Sequence, residues 1–267
     1  MDQNIIVFII VGFVAQMIDG ALGMAYGVSA TSFLLAFGVS PVLASASVHM
    51  AEVFTTAVSG GSHLRLGNVD KKLVSKLVIP GIIGAVIGAY LLTNIPGEKI
   101  KPYVSAYLLV MGIVILLKTL RKMQPAHVTS HLIPLGFIGG FFDTIGGGGW
   151  GPVVATTLIA RGNSPRHTIG SVNLAEFFVT ISAAATFLLT LGTLMWQPIV
   201  GLAIGGALAA PVAALVCKRI PARALMFVVG ILIIFLSIRT IYQTVSLSAF
   251  QAISFSVFQQ IGHFFTS

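Results

Sequence analysis

Two stretches decide the fold: Gly12-Phe-Val-Ala-Gln-Met-Ile-Asp-Gly-Ala-Leu-Gly-Met-Ala-Tyr-Gly27 and Gly136-Phe-Ile-Gly-Gly-Phe-Phe-Asp-Thr-Ile-Gly-Gly-Gly-Gly-Trp-Gly151. Laid over each other at an offset of 124, they share Gly12/Gly136, Asp19/Asp143, Gly23/Gly147 and Gly27/Gly151. The match runs without a gap from 12–56 onto 136–180, where 16 of 45 pairs are identical. Among them are Ser40-Pro41 with Ser164-Pro165, Ser47 with Ser171, and Glu52 with Glu176. After one extra residue the register resumes at an offset of 125, through Leu66-Gly67 with Leu191-Gly192 and Ile95-Pro96 with Ile220-Pro221. The chain is a tandem duplication.

Each half reads as four apolar elements. Three are long enough for a hydrocarbon core of about 30 Å: 42–60, 73–95 and 103–117 in the first half, and 168–191, 199–216 and 222–238 in the second. The leading element differs, because it is split. Its arms, 5–18 and 28–37, and then 132–142 and 153–160, are too short to span and flank a polar, glycine-rich tip. Such half-length arms describe a re-entrant hairpin buried among other helices. The fold class expected is therefore an all-α integral membrane protein of two inverted repeats, each a re-entrant or broken helical hairpin plus three transmembrane helices. The expected divisions are a first repeat at 1–120, a cytoplasmic linker at 121–131, a second repeat at 132–243 and a C-terminal segment at 244–267. That last segment spaces Leu247, Phe250, Ile253, Val257, Ile261 and Phe264 as an amphipathic helix would; it reads as an interfacial helix or one more crossing.

Composition agrees with a membrane solvent. The 267 residues are 56% hydrophobic and only 8% charged, against about 25% charged in soluble domains. The net charge of +8 does not point to nucleic acid, since the basic residues lie singly and in pairs between apolar runs. They test topology instead, because short cytoplasmic loops collect Lys and Arg. With both hairpins re-entrant, Arg65, Lys71, Lys72, Lys76, Lys118, Arg121, Lys122, Arg161, Arg166, Lys218, Arg219 and Arg223 share one side, leaving Lys99, Lys101 and Arg239 on the other. That places the N-terminus outside. Met1, Asp2, Gln3 and Asn4 carry no basic region, so the first apolar run is expected to remain in the mature chain. One cysteine, Cys217, allows no disulfide and no cysteine-based metal site.

Four of the seven acids, Asp19, Glu52, Asp143 and Glu176, fall inside apolar elements as two repeat-related pairs. A charge at the bilayer centre costs about 2.5–3.5 kcal/mol on insertion scales, so each needs a reason. Two compatible readings supply one: the acids line a central cavity at the repeat interface, holding backbone groups or carrying protons, and the aspartates cap broken helix ends while the glutamates accept hydrogen bonds from the hairpins. The tips carry Gly23, Tyr26, Gly147, Gly148 and Trp150; glycine lets backbone approach a ligand, and a helix starting beyond such a tip aims N–H groups at an anion. His49 with Glu52, and Asn173 with Glu176, lie one helical turn apart, and with Ser47 and Ser171 they are expected to form an inward polar stripe. His and Glu at this spacing suggest a metal, but the second copy has Asn, so no metal is expected. Gly146, Gly148 and Gly151 match the dinucleotide fingerprint without its strand, so no cofactor is expected, and no nucleophile set supports an enzyme.

The segments Gly38-Val-Ser-Pro41 through Ser47-Val-His-Met-Ala-Glu52 to Asp70, and Asp143 to Gly151 through Ser171-Val-Asn-Leu-Ala-Glu176, resemble the TauE/SafE sulfite exporter family, also called the toluene sulfonate uptake permeases. The resemblance covers about 8–242. It implies a multi-pass protein of a bacterial-type plasma membrane that transports a small sulfur oxyanion or organosulfonate. The leading expectation is a secondary transporter of such an anion, working by alternating access at Asp19, Gly23, Tyr26, Ser47, His49, Glu52, Asp143, Gly147, Gly148, Trp150, Ser171, Asn173 and Glu176. Its partners are the anion and the lipid bilayer, and the sequence leaves a homo-oligomer open. The alternative is a carrier of a cation, or of a proton-coupled solute, using the paired acids.

Overall fold

The computed structural model describes residues 5–22, 24–118, 130–161, 163–216, 227, 228 and 230–243. Among these there are helices and no strands. In order they are α1 (Ile5–Leu22), α2 (Tyr26–Ala36), α3 (Pro41–Arg65), α4 (Lys71–Asn94), α5 (Gly97–Lys118), α6 (Leu132–Gly146), α7 (Thr156–Ala160), α8 (Pro165–Thr190), α9 (Trp196–Val216) and α10 (Gly230–Gln243). A π-helical turn, Gly151–Ala155, leads into α7. Cys217 and the segments 121–129 and 244–267 lie outside the described residues, as do the expectations placed on them.

Among the described residues, four helices, Pro41–Arg65, Lys71–Asn94, Gly97–Leu117 and His167–Thr190, are long and apolar enough to cross a membrane. The surface agrees. On α4 the large side chains Ile79, Ile83, Val86, Ile87, Tyr90 and Leu91 are exposed, while Gly81, Gly84, Ala85, Gly88 and Ala89 face inward. A helix that turns its bulk outward and its small residues inward is built for lipid outside and close backbone packing inside.

Local sequence explains the boundaries. The Ser40 hydroxyl accepts from the N–H of Leu43, and Pro41 occupies the first turn, where its missing N–H removes no helical bond. Asp70 caps α4 by accepting from Lys72 and Leu73. The expected arms start and stop close to the observed ones, with one correction. The first arm does not end at Ile18, because α1 continues through Asp19 to Leu22. In the second copy α6 likewise runs past Asp143 to Gly146. The break falls where the chain enters left-handed backbone, at Gly147 with φ 68° and at Ala25 with φ 90°. A carboxylate in the last turn does not stop a helix; left-handed backbone does.

The hairpin of each half packs on the fourth helix of the other: α1 along α9, and α6 along α4. Glycine permits this. A Cβ on Gly84 would lie 2.9 Å from the Phe141 nitrogen, and one on Gly205 2.7 Å from the Phe13 nitrogen. Gly136 lies against the Leu77 carbonyl and its repeat mate Gly12 against Leu202, the repeat mate of Leu77. The second hairpin closes on itself, for Arg161 Nη1 donates to the Ser130 carbonyl at 3.1 Å, joining its two ends.

At the centre α3 and α8 run antiparallel. His49 lies against Phe187, Thr56 against Thr180, and Ser59 against Asn173. Thr56 and Thr180 are themselves repeat mates, and their hydroxyls lie 3.5 Å apart. At one end of the bundle the Asp70 N–H donates to Ser171 Oγ at 2.7 Å, so the α3–α4 loop with Arg65, Lys71 and Lys72 meets the start of α8. At the other, Gly97 lies beside Ser40 and Pro41, which puts the Lys99 and Lys101 turn at the opposite end.

Candidate functional site

The helical period places Ser45, His49, Glu52 and Thr56 on one face of α3, and all four are buried. Ser47, two residues from His49, lies about 200° around the helix from it. The expected stripe is thus corrected: its serine is Ser45, whose hydroxyl donates to the Thr144 carbonyl at 2.6 Å. Ser47 is buried on another face. Ser171 accepts from the Asp70 N–H at one end of the bundle.

His49 carries the most informative geometry. Its Nδ1 is 2.8 Å from the Ser45 carbonyl, which can only accept, so Nδ1 holds a hydrogen. Its Nε2 is 3.1 Å from Asp143 Oδ2. The contact therefore contains one proton, either on an imidazolium facing a carboxylate or on a carboxylic acid facing a neutral ring. The other Asp143 oxygen accepts the Trp150 N–H at 2.8 Å, and the backbone of Tyr26 hydrogen-bonds Asp19 in the matching way. The aspartates do cap the second arms. This corrects the expectation that those N–H groups stand free for an anion: the first of each is already occupied by the carboxyl seven residues before it.

The tips meet. A Cβ on Gly27 would lie 2.7 Å from Gly148 Cα and 3.0 Å from Glu52 Oε1. Thr31 donates to the Gly147 carbonyl, and Tyr107 to that of Gly148 at 3.2 Å. Gly148, at φ 145°, has no room for a side chain against Gly27 and Val28. The matched aromatics anchor the tips to the helix scaffold: Trp150 Nε1 donates to the Val172 carbonyl at 3.1 Å and Tyr26 to that of Leu202 at 3.1 Å. Each also covers a repeat-related glycine, Gly81 and Gly206. Gly23 lies outside the described residues.

In the second copy, Asn173 Nδ2 donates to the Ile169 carbonyl at 3.0 Å, as His49 Nδ1 does to Ser45, while its Oδ1 accepts from Ser59. Glu176 is buried and within electrostatic reach of Glu52, Asp19 and Asp143. Among the described residues, Gln16 Oε1, Ser29 Oγ, Ser32 Oγ and Glu52 Oε2 are buried side-chain atoms of α1 to α3 without a hydrogen-bond partner. The sequence reading missed Gln16, Ser29, Thr31, Ser32, Ser45 and Tyr107. For Ser29, Thr31 and Ser32 the signal was present as three hydroxyls in an eleven-residue apolar arm. Nothing local marked Tyr107, which reaches the tip from α5.

The family model described as "Sulfite exporter TauE/SafE" matches residues 8–240. The chain belongs to the TauE/SafE family. It is similar to the probable membrane transporter protein YtnM of Bacillus subtilis (strain 168), 47% identical over 90% of this chain and 83% of that one. It is more distantly similar to the probable membrane transporter protein ORF9 of Sinorhizobium sp, 24% identical over 73% and 76%. A third relative is the probable membrane transporter protein YjnA of B. subtilis, 22% identical over 85% and 95%. No solved structure matches. With its apolar helices, this TauE/SafE chain is a multi-pass membrane transporter.

Proposed function

We propose that the protein is a secondary carrier that moves a small sulfur oxyanion or organosulfonate across the plasma membrane by alternating access. The meeting of the two glycine tips at Gly27 and Gly148 carries this reading. Two hairpins that touch at their tips, each braced on the opposite half, form a contact that opens toward one face or the other as the halves rock. The antiparallel α3–α8 pair, with Thr56 against Thr180, supports inverted halves related by an axis in the membrane plane. The N-terminus and Lys99 then face outward, and Arg65, Lys71 and Arg166 face the cytoplasm. The family description supports a sulfite-type substrate, with the Tyr26 and Trp150 N–H groups at the tips serving as backbone donors once Asp19 and Asp143 yield them.

Ligand stabilisation of the purified protein tests the reading, since a ligand that binds only the folded state raises its melting point. The panel is sulfite, sulfate, thiosulfate, short organosulfonates, carboxylates and divalent cations. Sulfur anions are expected to raise the melting temperature. Stabilisation by cations alone, lost in Asp143→Asn, would replace this reading with a cation carrier.

A further inference from the structure

We propose that His49 and Asp143, with Glu52 beside them, form a proton-binding site that couples transport to protons, and that the repeat-related position at Asp19 and Asn173 does not. The inference rests on the transport reading above. Its first support is the single proton between His49 Nε2 and Asp143 Oδ2, fixed by the hydrogen that Nδ1 gives to Ser45. Its second is Glu52, 3% exposed, whose Oε2 has no hydrogen-bond partner. His49, Glu52 and Asp143 each offer an atom within 4.8 Å of the others. A buried carboxyl oxygen left unpaired this close to a shared proton is an acceptor waiting for one.

The asymmetry between the repeats is the third support. Asn173 reproduces the bond of His49 to the carbonyl four residues back, so the backbone role is conserved between the two copies. An amide has no basic nitrogen, and its single nitrogen is already spent on that carbonyl, so nothing titratable turns toward Asp19. Half of the duplicated machinery therefore carries a His–Asp pair and half does not. Among the described residues, the other ionisable groups in electrostatic reach of this cluster are Glu176 on α8, Asp19 on α1, Tyr26 on α2 and Tyr107 on α5, with no Lys or Arg among them. The step is proton transfer alone. The Nε2–H bond forms as a proton arrives from water on the side to which the site is open, and it breaks on release to the other. No oxidant or co-reactant enters.

Two measurements decide it. In ¹⁵N-histidine-labelled protein in detergent, with the resonance assigned by His49→Asn, Nε2 is expected to pass from proton-free to protonated between about pH 9 and pH 5 while Nδ1 keeps its hydrogen, and the transition is expected to move in Asp143→Asn. A His49 ring unchanged across that range overturns the proposal. In proteoliposomes loaded with a pH-sensitive dye and given a sulfite gradient, His49→Asn is expected to lower the proton-to-sulfite ratio by one relative to the unsubstituted protein. Both are read at the same pH, so protonation of sulfite itself cancels. An unchanged ratio overturns the proposal, as does stoichiometric Zn²⁺ binding abolished by His49→Asn, which would make the cluster a metal site. Absence of sulfite flux in every preparation counts against the substrate reading, and the ¹⁵N titration still decides the proton site.

Discussion

Ala25 sits at φ 90°, left-handed backbone that costs an L-residue about 1–2 kcal/mol, while its repeat mate at the other tip is Gly149. Ala25→Gly is expected to relieve that cost, offset in part by chain entropy. The melting temperature in detergent should rise by about 2–4 °C per kcal/mol gained; a fall would mean the alanine methyl contributes packing that outweighs the strain. At the other tip, Trp150→Phe shrinks the buried indole to a phenyl ring and deletes the N–H that serves the Val172 carbonyl. It is expected to destabilise by about 1–3 kcal/mol, measured by denaturant melts. Much of this was legible in the chain: the self-match marked Asp19, Asp143, Glu52 and Glu176, and paired Tyr26 with Trp150. What was not legible is which atoms are already occupied. No spacing rule reveals that Asp143 spends one oxygen on the Trp150 N–H and the other on His49, because those partners lie seven and 94 residues away in sequence.

At the scale of elements, glycine sets how closely a hairpin can approach its supporting helix. Gly84 and Gly88, and Gly201 and Gly205, each lie one helical turn apart, a spacing that lets backbones approach, and the structure identifies what they approach: Phe137 and Phe141 for Gly84, Phe141 and Thr144 for Gly88, Ile5 and Phe8 for Gly201, Ile9 and Phe13 for Gly205. Gly84→Leu is therefore expected to lose most folded protein from the membrane, whereas Ile79→Leu, on the exposed side of the same helix, should leave yield and melting temperature unchanged. Fluorescence-detected size exclusion compares the two directly. Equal behaviour would mean that α4 does not brace the second hairpin. For α3, α4, α5 and α8 helix length followed from hydrophobic run length, since lipid fixes the span. The exact break points did not, because hydropathy carries no record of φ.

At the scale of the molecule, the duplication makes the two ends of the bundle distinguishable by charge. In a Cys217→Ser background, single cysteines in place of Lys71 and Arg166 are expected to react with a membrane-permeant thiol reagent but not with an impermeant one added outside. A cysteine in place of Lys99 should react with both. Labelling of Lys71→Cys and Arg166→Cys from opposite sides would break the arrangement in which the α3–α4 loop meets the start of α8. Uptake by proteoliposomes tests the central claim most directly: purified protein reconstituted in vesicles, given radiolabelled sulfite outside and unlabelled sulfite inside. Accumulation of label well above protein-free vesicles, competed by short organosulfonates and lost in Gly148→Val, is the predicted result. Vesicles that exchange a cation but neither sulfite nor any sulfonate would contradict it.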